Sequence, residues 1–398
     1  MRQLCFLLSL MLLASCSEAD VTIEWHDGAV TSSLNGREAD FTLEVDSAAN
    51  VRLTCLRKEG DEPIICLKGK SSGSFTYKAD IKSTIRLDGL TLEAGAGFTP
   101  INLKNKKRSV IYLAGNTIST LMDAPQVCDT VASKDCMRSH GKLTIAGDGE
   151  LRLVSSHTGS KGLKCDKDFL LQSGKLTVTT TGMYLYEDTT HHFPMPPMGE
   201  GGPEGRPGFD GPMPDFDGGM MLPPPGGRPD GPRPDGFGPM GPPPFEGDSM
   251  MGPPPPPFER HFYKGTAKGI KVTGKAVIAG GELTITTTMP GAEGLEAKEG
   301  IDIESGIIRI EAYDDGISTN GPILVTGGDT YVKSLHNDGI DTNFGREGAY
   351  TQHAGRVEVV SQAGPPEEGL DTDWTPIVHD GGELIGNQEL QNPPFRPE

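Results

Sequence analysis

The chain has 398 residues, a formal charge of −19 and a pI near 4.9, which excludes electrostatic binding of a phosphate backbone and favours cations as partners instead. Only 35% of residues are hydrophobic and 6% aromatic, while 54 are glycine, so a large helical core is excluded and a fold of many turns is implied.

At the N-terminus Arg2 precedes the apolar run Leu4 to Leu13, too short to span a bilayer as a helix, which predicts an export signal. It closes on Leu13-Ala14-Ser15-Cys16, which resembles the lipobox of bacterial lipoproteins and implies a diacylglycerol on the Cys16 thiol. A plain secretory signal with an incidental cysteine is the alternative. Glu18 and Asp20 resemble the signal that sends some lipoproteins to the outer leaflet, so the expected location is the outer membrane, at the cell surface, with attachment through the lipid alone. Residues 16–50 would form a tether and an irregular cap.

Removing Cys5 with the signal and Cys16 to the lipid leaves Cys55, Cys66, Cys128, Cys136 and Cys165. The separations suggest Cys55 with Cys66 and Cys128 with Cys136 as local disulfides in an oxidising compartment. The equally open reading is that all five are small apolar core residues. No CxxC pair is present, so zinc is not expected.

The segments Ile85–Leu92, Val110–Leu113, Leu143–Ile145 and Leu151–Val154 alternate with period two, as half-buried strands do. From about Pro194 to about Phe258 the chain turns to Pro, Gly, Met, Asp and Phe, including the run Pro253 to Pro257. Proline lacks a donor and glycine adds chain entropy, so neither ladder nor helix is expected there. Residues 188–262 are therefore read as a disordered or polyproline-like insertion, either a spacer or flap or a tolerated surface loop, between a first part at 51–187 and a second at 263–385. A tail follows at 386–398.

Around that insertion an anchor recurs, glycine followed by leucine or isoleucine: Gly162-Leu163, Gly269-Ile270, Gly294-Leu295, Gly316-Ile317, Gly339-Ile340 and Gly369-Leu370. From the second onward the steps are 25, 22, 23 and 30 residues, the length of one solenoid coil. Each anchor leads to an alternating strand, a glycine corner and a second strand, as in Val277-Ile278-Ala279-Gly280-Gly281-Glu282-Leu283-Thr284-Ile285. This order predicts an all-β fold, a right-handed parallel β-helix from about Val51 to about Leu384, whose stacked coils bury one apolar column. An antiparallel sandwich fits less well, because its hairpins would alternate direction.

Leu113-Ala114-Gly115-Asn116-Thr117-Ile118-Ser119-Thr120-Leu121, the Gly-Gly corners and the repeated Asp-Gly-Ile turns resemble the bacterial calcium-binding β-helix carbohydrate-binding domain, a family similar in shape to ten-coil calcium-dependent pectate lyases. The resemblance runs from about Val51 to Gln362. It implies a polysaccharide partner, acidic or of the plant cell wall, and calcium sites on equivalent Asp-Gly turns, carried here onto Asp315, Asp338 and Asp341.

Aligning the anchors gives two columns. The position before glycine reads Lys161, Lys268, Glu293, Asp315, Asp338, Glu368, and two after it reads Lys164, Lys271, Glu296, Ser318, Asp341, Asp371. Carboxylates stacked at one-coil spacing repel, so a hard oxygen-seeking cation, Ca2+, is expected among Asp314, Asp315, Asp338, Asp341, Asn343, Asp371 and Asp373, with Glu293 and Glu368 departing from the Asp pattern. Asp before Gly is also a common turn choice for backbone reasons. In the lyases resembled, a lysine takes the proton beside the uronate carboxyl; the nearest cations here are Lys268, Lys271 and Lys298, with Arg309 and Lys333 behind them, and none sits in a motif. Tyr313, Tyr331, Tyr350 and Trp374 are the candidate stacking platforms. The expectation is a calcium-bearing, monomeric, non-catalytic polysaccharide binder, with a lyase and a non-glycan adhesin as the alternatives, and with no nucleic-acid partner.

Overall fold

The computed structural model describes residues 19–26, 28–124, 135–182, 185–187, 262–342, 349–364, 367–372 and 375–386. The chain divides into two units, Met1–Asp188 with His261–Glu398, and Thr189–Arg260; the second, with the Pro/Gly/Met-rich insertion, lies outside the described residues. The described residues are all-β, with no helix.

Strands stack coil upon coil in parallel. Among the described residues one sheet has 11 strands, running from Phe41–Val45 at one end to Leu370–Asp371 at the other; from Val51–Cys55 onward its partners are parallel and one coil apart in sequence, except where Leu163 pairs with Ile270 across the insertion. In it Ile101 pairs with Met137, Met137 with Leu163, Leu163 with Ile270, Ile270 with Leu295, Leu295 with Ile317, Ile317 with Ile340 and Ile340 with Leu370, all parallel. An 18-stranded sheet carries the remaining strands of each coil. Buried residues alternate with exposed ones along these strands, so each sheet is covered on one side only. That is why the sequence alternates, where a parallel sheet covered on both faces would read as continuous apolar runs. The inward side chains, among them Leu87, Leu113, Ile145, Leu171, Ile278, Ile303 and Val325, form one continuous core.

The first coils are closed by antiparallel pairs. Val21–His26 pairs with Ala29–Ser33, and Phe41–Val45 with Val51–Cys55, so the cap is a pair of hairpin-like ladders. Trp25 is fully buried there, donates Nε1–H to the Ala49 carbonyl at 3.0 Å and meets Phe75 edge-on at 6.4 Å between ring centroids. An aromatic plug of this kind covers core that has no further coil to cover it.

Two kinds of glycine sustain the repeat. The corner glycines are conformational: Gly281 and Gly328 have φ of 77° and 87°, a region costly for side chains with a Cβ. The anchor glycines are not at positive φ and are needed for room. A Cβ on Gly316 would lie 2.2 Å from Val332 Cγ1 and 2.5 Å from the Gly339 carbonyl oxygen, and one on Gly294 would lie 2.4 Å from the Gly316 oxygen. The anchor is thus where two sheets and two coils come closest.

The cysteines correct the sequence reading. Cys55 and Cys136 are free and buried, as is Cys165, so neither the Cys55–Cys66 nor the Cys128–Cys136 pair forms. Cys55 belongs to the inward series of Val51 and Leu53, whereas Cys66 sits between the inward Ile65 and Leu67 and faces away from that core, so the two sulfurs lie on opposite sides of the wall. Cys66 is disulfide-bonded, but not to Cys55. Cys136 donates to the Leu121 carbonyl at 3.2 Å, and Cys128 lies outside the described residues. Burial pushes the Cys165 thiol up to about 11, as expected of an inert core residue.

Candidate functional site

The ladder register reproduces the second charge column throughout and the first as far as Glu293. Lys161 lies opposite Lys268 and Lys268 opposite Glu293, while the second column runs Lys164, Lys271, Glu296, Ser318, Asp341, Asp371. Neighbouring members are one coil apart, about 4.8 Å.

At the change of sign the two columns lock together. Lys268, almost fully buried, contacts Glu293 at 2.6 Å and Glu296 at 2.7 Å; Glu296 also meets Lys298 at 2.6 Å and Lys271 at 3.4 Å. Burial acts to raise the Glu296 carboxyl, but Lys268 and Lys271 outweigh it and hold it down at about 2. Burial acts to lower the Lys268 ammonium, and the two glutamates reverse that and raise it.

Beyond this knot carboxylates crowd against one another. Glu293, Asp314 and Asp315 each bring one oxygen to within 4.8 Å of the others. Glu293 Oε1 is taken by Lys268, whereas its Oε2 is buried with no hydrogen-bond partner. Burial, and then the neighbouring carboxylates of Asp314 and Glu293, push Asp315 up to about 10; burial and Glu293 push Asp314 up to about 6. Asp338, buried and near Asp371, Glu367 and Asp341, is pushed up to about 7, and burial and Asp371 also raise Glu368. Asp315 and Asp338 are each only 8% exposed.

These aspartates also have a backbone task. Asp315 Oδ1 accepts the Asp338 N–H at 3.3 Å, and Asp338 Oδ1 accepts the Glu368 N–H at 2.5 Å, so each side chain ties its turn to the next coil. A hydroxyl column that sequence reasoning missed fixes the same turns from inside. Thr287 donates to the Ala292 carbonyl at 2.6 Å, Ser334 to Asp314 at 2.7 Å and Ser361 to Asn337 at 2.7 Å. Its signal was a Ser or Thr ending the second strand of several coils, at Thr180, Thr287, Ser334 and Ser361.

The structure therefore gathers Glu293, Asp314 and Asp315 into one cluster and places Asp338, Asp341, Glu368 and Asp371 in the coils after it. Asn343 and Asp373 lie outside the described residues, as do Cys16 and Trp374. Among the stacking candidates, Tyr350 is corrected: it is fully buried and donates its hydroxyl to Gln352 Oε1 at 2.9 Å, because it occupies an inward strand position. Tyr313, immediately before Asp314, packs against His336, immediately before Asn337, at 4.2 Å between ring centroids.

The outward side of this parallel wall thus carries a column that is basic at one end and acidic at the other. The profile of a family described as "Carbohydrate-binding domain-containing protein" matches residues 65–185 and 277–364, more than half of the chain. The chain belongs to that family. Among solved structures it is similar to a polysaccharide lyase-like protein from C. thermocellum, a gadolinium derivative, with 14% identity and a TM-score of 0.43 over 92% of this chain and 97% of that one. No curated protein matches.

Proposed function

We propose that this protein is a calcium-dependent binder of acidic polysaccharide, exported and held at the outer membrane by a lipid on Cys16, with a right-handed parallel β-helix as its binding body. The observation that supports calcium is the cluster of Glu293, Asp314 and Asp315, with one buried oxygen of Glu293 left without a partner. A hard divalent cation needs several oxygens, and carboxylates from adjacent coils supply them. Asp314 and Asp315 would hold it, Glu293 would add its free oxygen, and the chain's own part is to keep these groups in register through the Ser334 and Asp338 contacts. A cation there lets a chain of charge −19 hold a polyanion by bridging.

Catalysis is not part of the reading. The lysines nearest the column are engaged: Lys268, Lys271 and Lys298 with Glu293 or Glu296, and Lys333 with Glu311, while Arg309 pairs with Asp329. A general base must give up its proton, and ion pairing opposes that.

The test is calorimetric titration of calcium, with retardation in gels containing polygalacturonate, with and without chelator. Calcium binding should vanish in Asp314→Asn/Asp315→Asn and retardation should fall with it. Absence of calcium binding at millimolar concentration in the parent protein would sink the site. Release of unsaturated uronate absorbing in the ultraviolet would make the protein a lyase.

A further inference from the structure

The geometry points to a second anion subsite on the same wall, a cation-independent pocket for a uronate-bearing saccharide at the opposite end from the carboxylate column. An open pocket of about 470 Å³ lies on the first coils of the 11-stranded sheet. Its floor is the outward face of Val51–Cys55, Phe75–Lys78 and Ile101–Leu103, whose inward face is core. In register across that floor stand Arg52, Thr76 and Asn102, and beside them Thr54 and Lys78, with Lys104 following Leu103.

Three of these groups are cationic. Lys78 and Lys104 occupy neighbouring coils, with the Lys104 N–H bonded to the Tyr77 carbonyl at 2.7 Å, and among the described residues neither has an ion-pair partner. Arg52 touches Glu44 only at 4.0 Å, with both side chains largely exposed, a pair of little strength. Like charges side by side on adjacent strands repel until an anion comes between them. Phe98, 41% exposed on the rim, offers an apolar ring face, and Asn102 has a side-chain oxygen with no partner, which a sugar hydroxyl would satisfy after rotation about χ2. A carboxylate on a ring with apolar C–H faces and hydroxyls answers all three chemistries at once.

The pocket and the site already described lie on the same sheet. Asn102 begins an outward column that runs through Arg138, Lys164, Lys271 and Glu296 to Ser318, five coil steps or about 24 Å. One acidic chain would meet lysines at one end and a bridging cation at the other, and the second contact would be intramolecular. This inference rests on the acidic-glycan reading above, but its contacts need no calcium.

The experiment measures binding of a galacturonic acid trimer, too short to span the wall, in chelator. Lys78→Ala/Lys104→Ala should weaken it about tenfold, the loss of two exposed charge contacts, and added calcium should not restore it. Lys70→Ala/Lys333→Ala, the same charge change on the other sheet, should leave it unchanged. Asp314→Asn/Asp315→Asn should keep trimer binding in chelator while losing the calcium-dependent gain for the polymer, which separates failure of this pocket from failure of the cation site. Equal trimer binding by parent and Lys78→Ala/Lys104→Ala overturns the proposal. So does a neutral cello-oligosaccharide binding as tightly, or full displacement by inorganic phosphate or by anionic phosphatidylglycerol vesicles at concentrations equal to the trimer.

Discussion

Replacing Glu296 by glutamine removes the one carboxylate that three lysines share and keeps its shape. Glu296 is 2% exposed and Lys268 is nearly as buried, so that ammonium cannot turn to water in its place without moving the coil. Its carboxyl, near 4.5 when unfolded, stands at about 2 in the fold. A depressed carboxylate contributes stability that is present above the unfolded value and lost as pH falls through the folded one. Here that window runs from 4.5 down to about 2, and the contribution at neutral pH is on the order of 3 kcal/mol. Removing one partner of a buried pair and leaving the other charge behind costs a similar amount, roughly 3–5 kcal/mol. Glu296→Gln should therefore lose about 3 kcal/mol in urea unfolding at pH 7, with the difference from the parent shrinking as pH approaches 2. Lys298→Met, at a side chain far more exposed than Glu296, should cost under about 1 kcal/mol. Because solenoid coils can unfold in part, circular dichroism and fluorescence should be required to give coincident transitions. A Glu296→Gln protein within about 0.5 kcal/mol of the parent at pH 7 would refute the reasoning, since it would mean the lysines are solvated without their partner.

The column beyond Glu293 should behave in the opposite sense. With folded values of about 6, 7 and 10 for Asp314, Asp338 and Asp315 against 3.8 unfolded, stability in chelator should fall as pH rises from 4 to 7, and calcium should restore it; scanning calorimetry showing no pH dependence in chelator would contradict this. Gly316→Ala should destabilise by about 1–3 kcal/mol or abolish folding, because its Cβ meets backbone of the next coil as well as Val332; an unchanged urea midpoint would show that the coils can part there. Deleting 195–257, a proline- and glycine-rich stretch without Val, Ile or Thr, should shift the melting temperature by no more than about 2 °C, and a larger loss would show that it packs on the body.

The coil length and the column order were legible because one residue, the anchor glycine, recurs in a fixed place relative to the ladder. Its reason was not legible. A glycine before a strand reads as a turn residue, yet Gly316 is there because Val332 and the Gly339 carbonyl leave no room for a Cβ, a contact between residues 16 and 23 positions away. The cysteine pairing failed for a reason the sequence did contain: alternation puts Ile65 and Leu67 inward and so turns Cys66 outward, while Val51 and Leu53 bring Cys55 inward. Proximity along the chain carries no such information, whereas parity decides which side of a wall a sulfur occupies. The same parity joins the two ends of the proposed binding face. Arg52, Asn102, Lys271, Glu296 and Asp341 are all outward residues of one sheet, so on the proposed reading a ligand's carboxylates pass from direct contact with lysines to contact through a cation at the sign change between Lys271 and Glu296. The knot of Lys268 with Glu293 and Glu296 sits at that boundary, and Asp314 and Asp315 follow it as the first carboxylates that the proposed cation would neutralise.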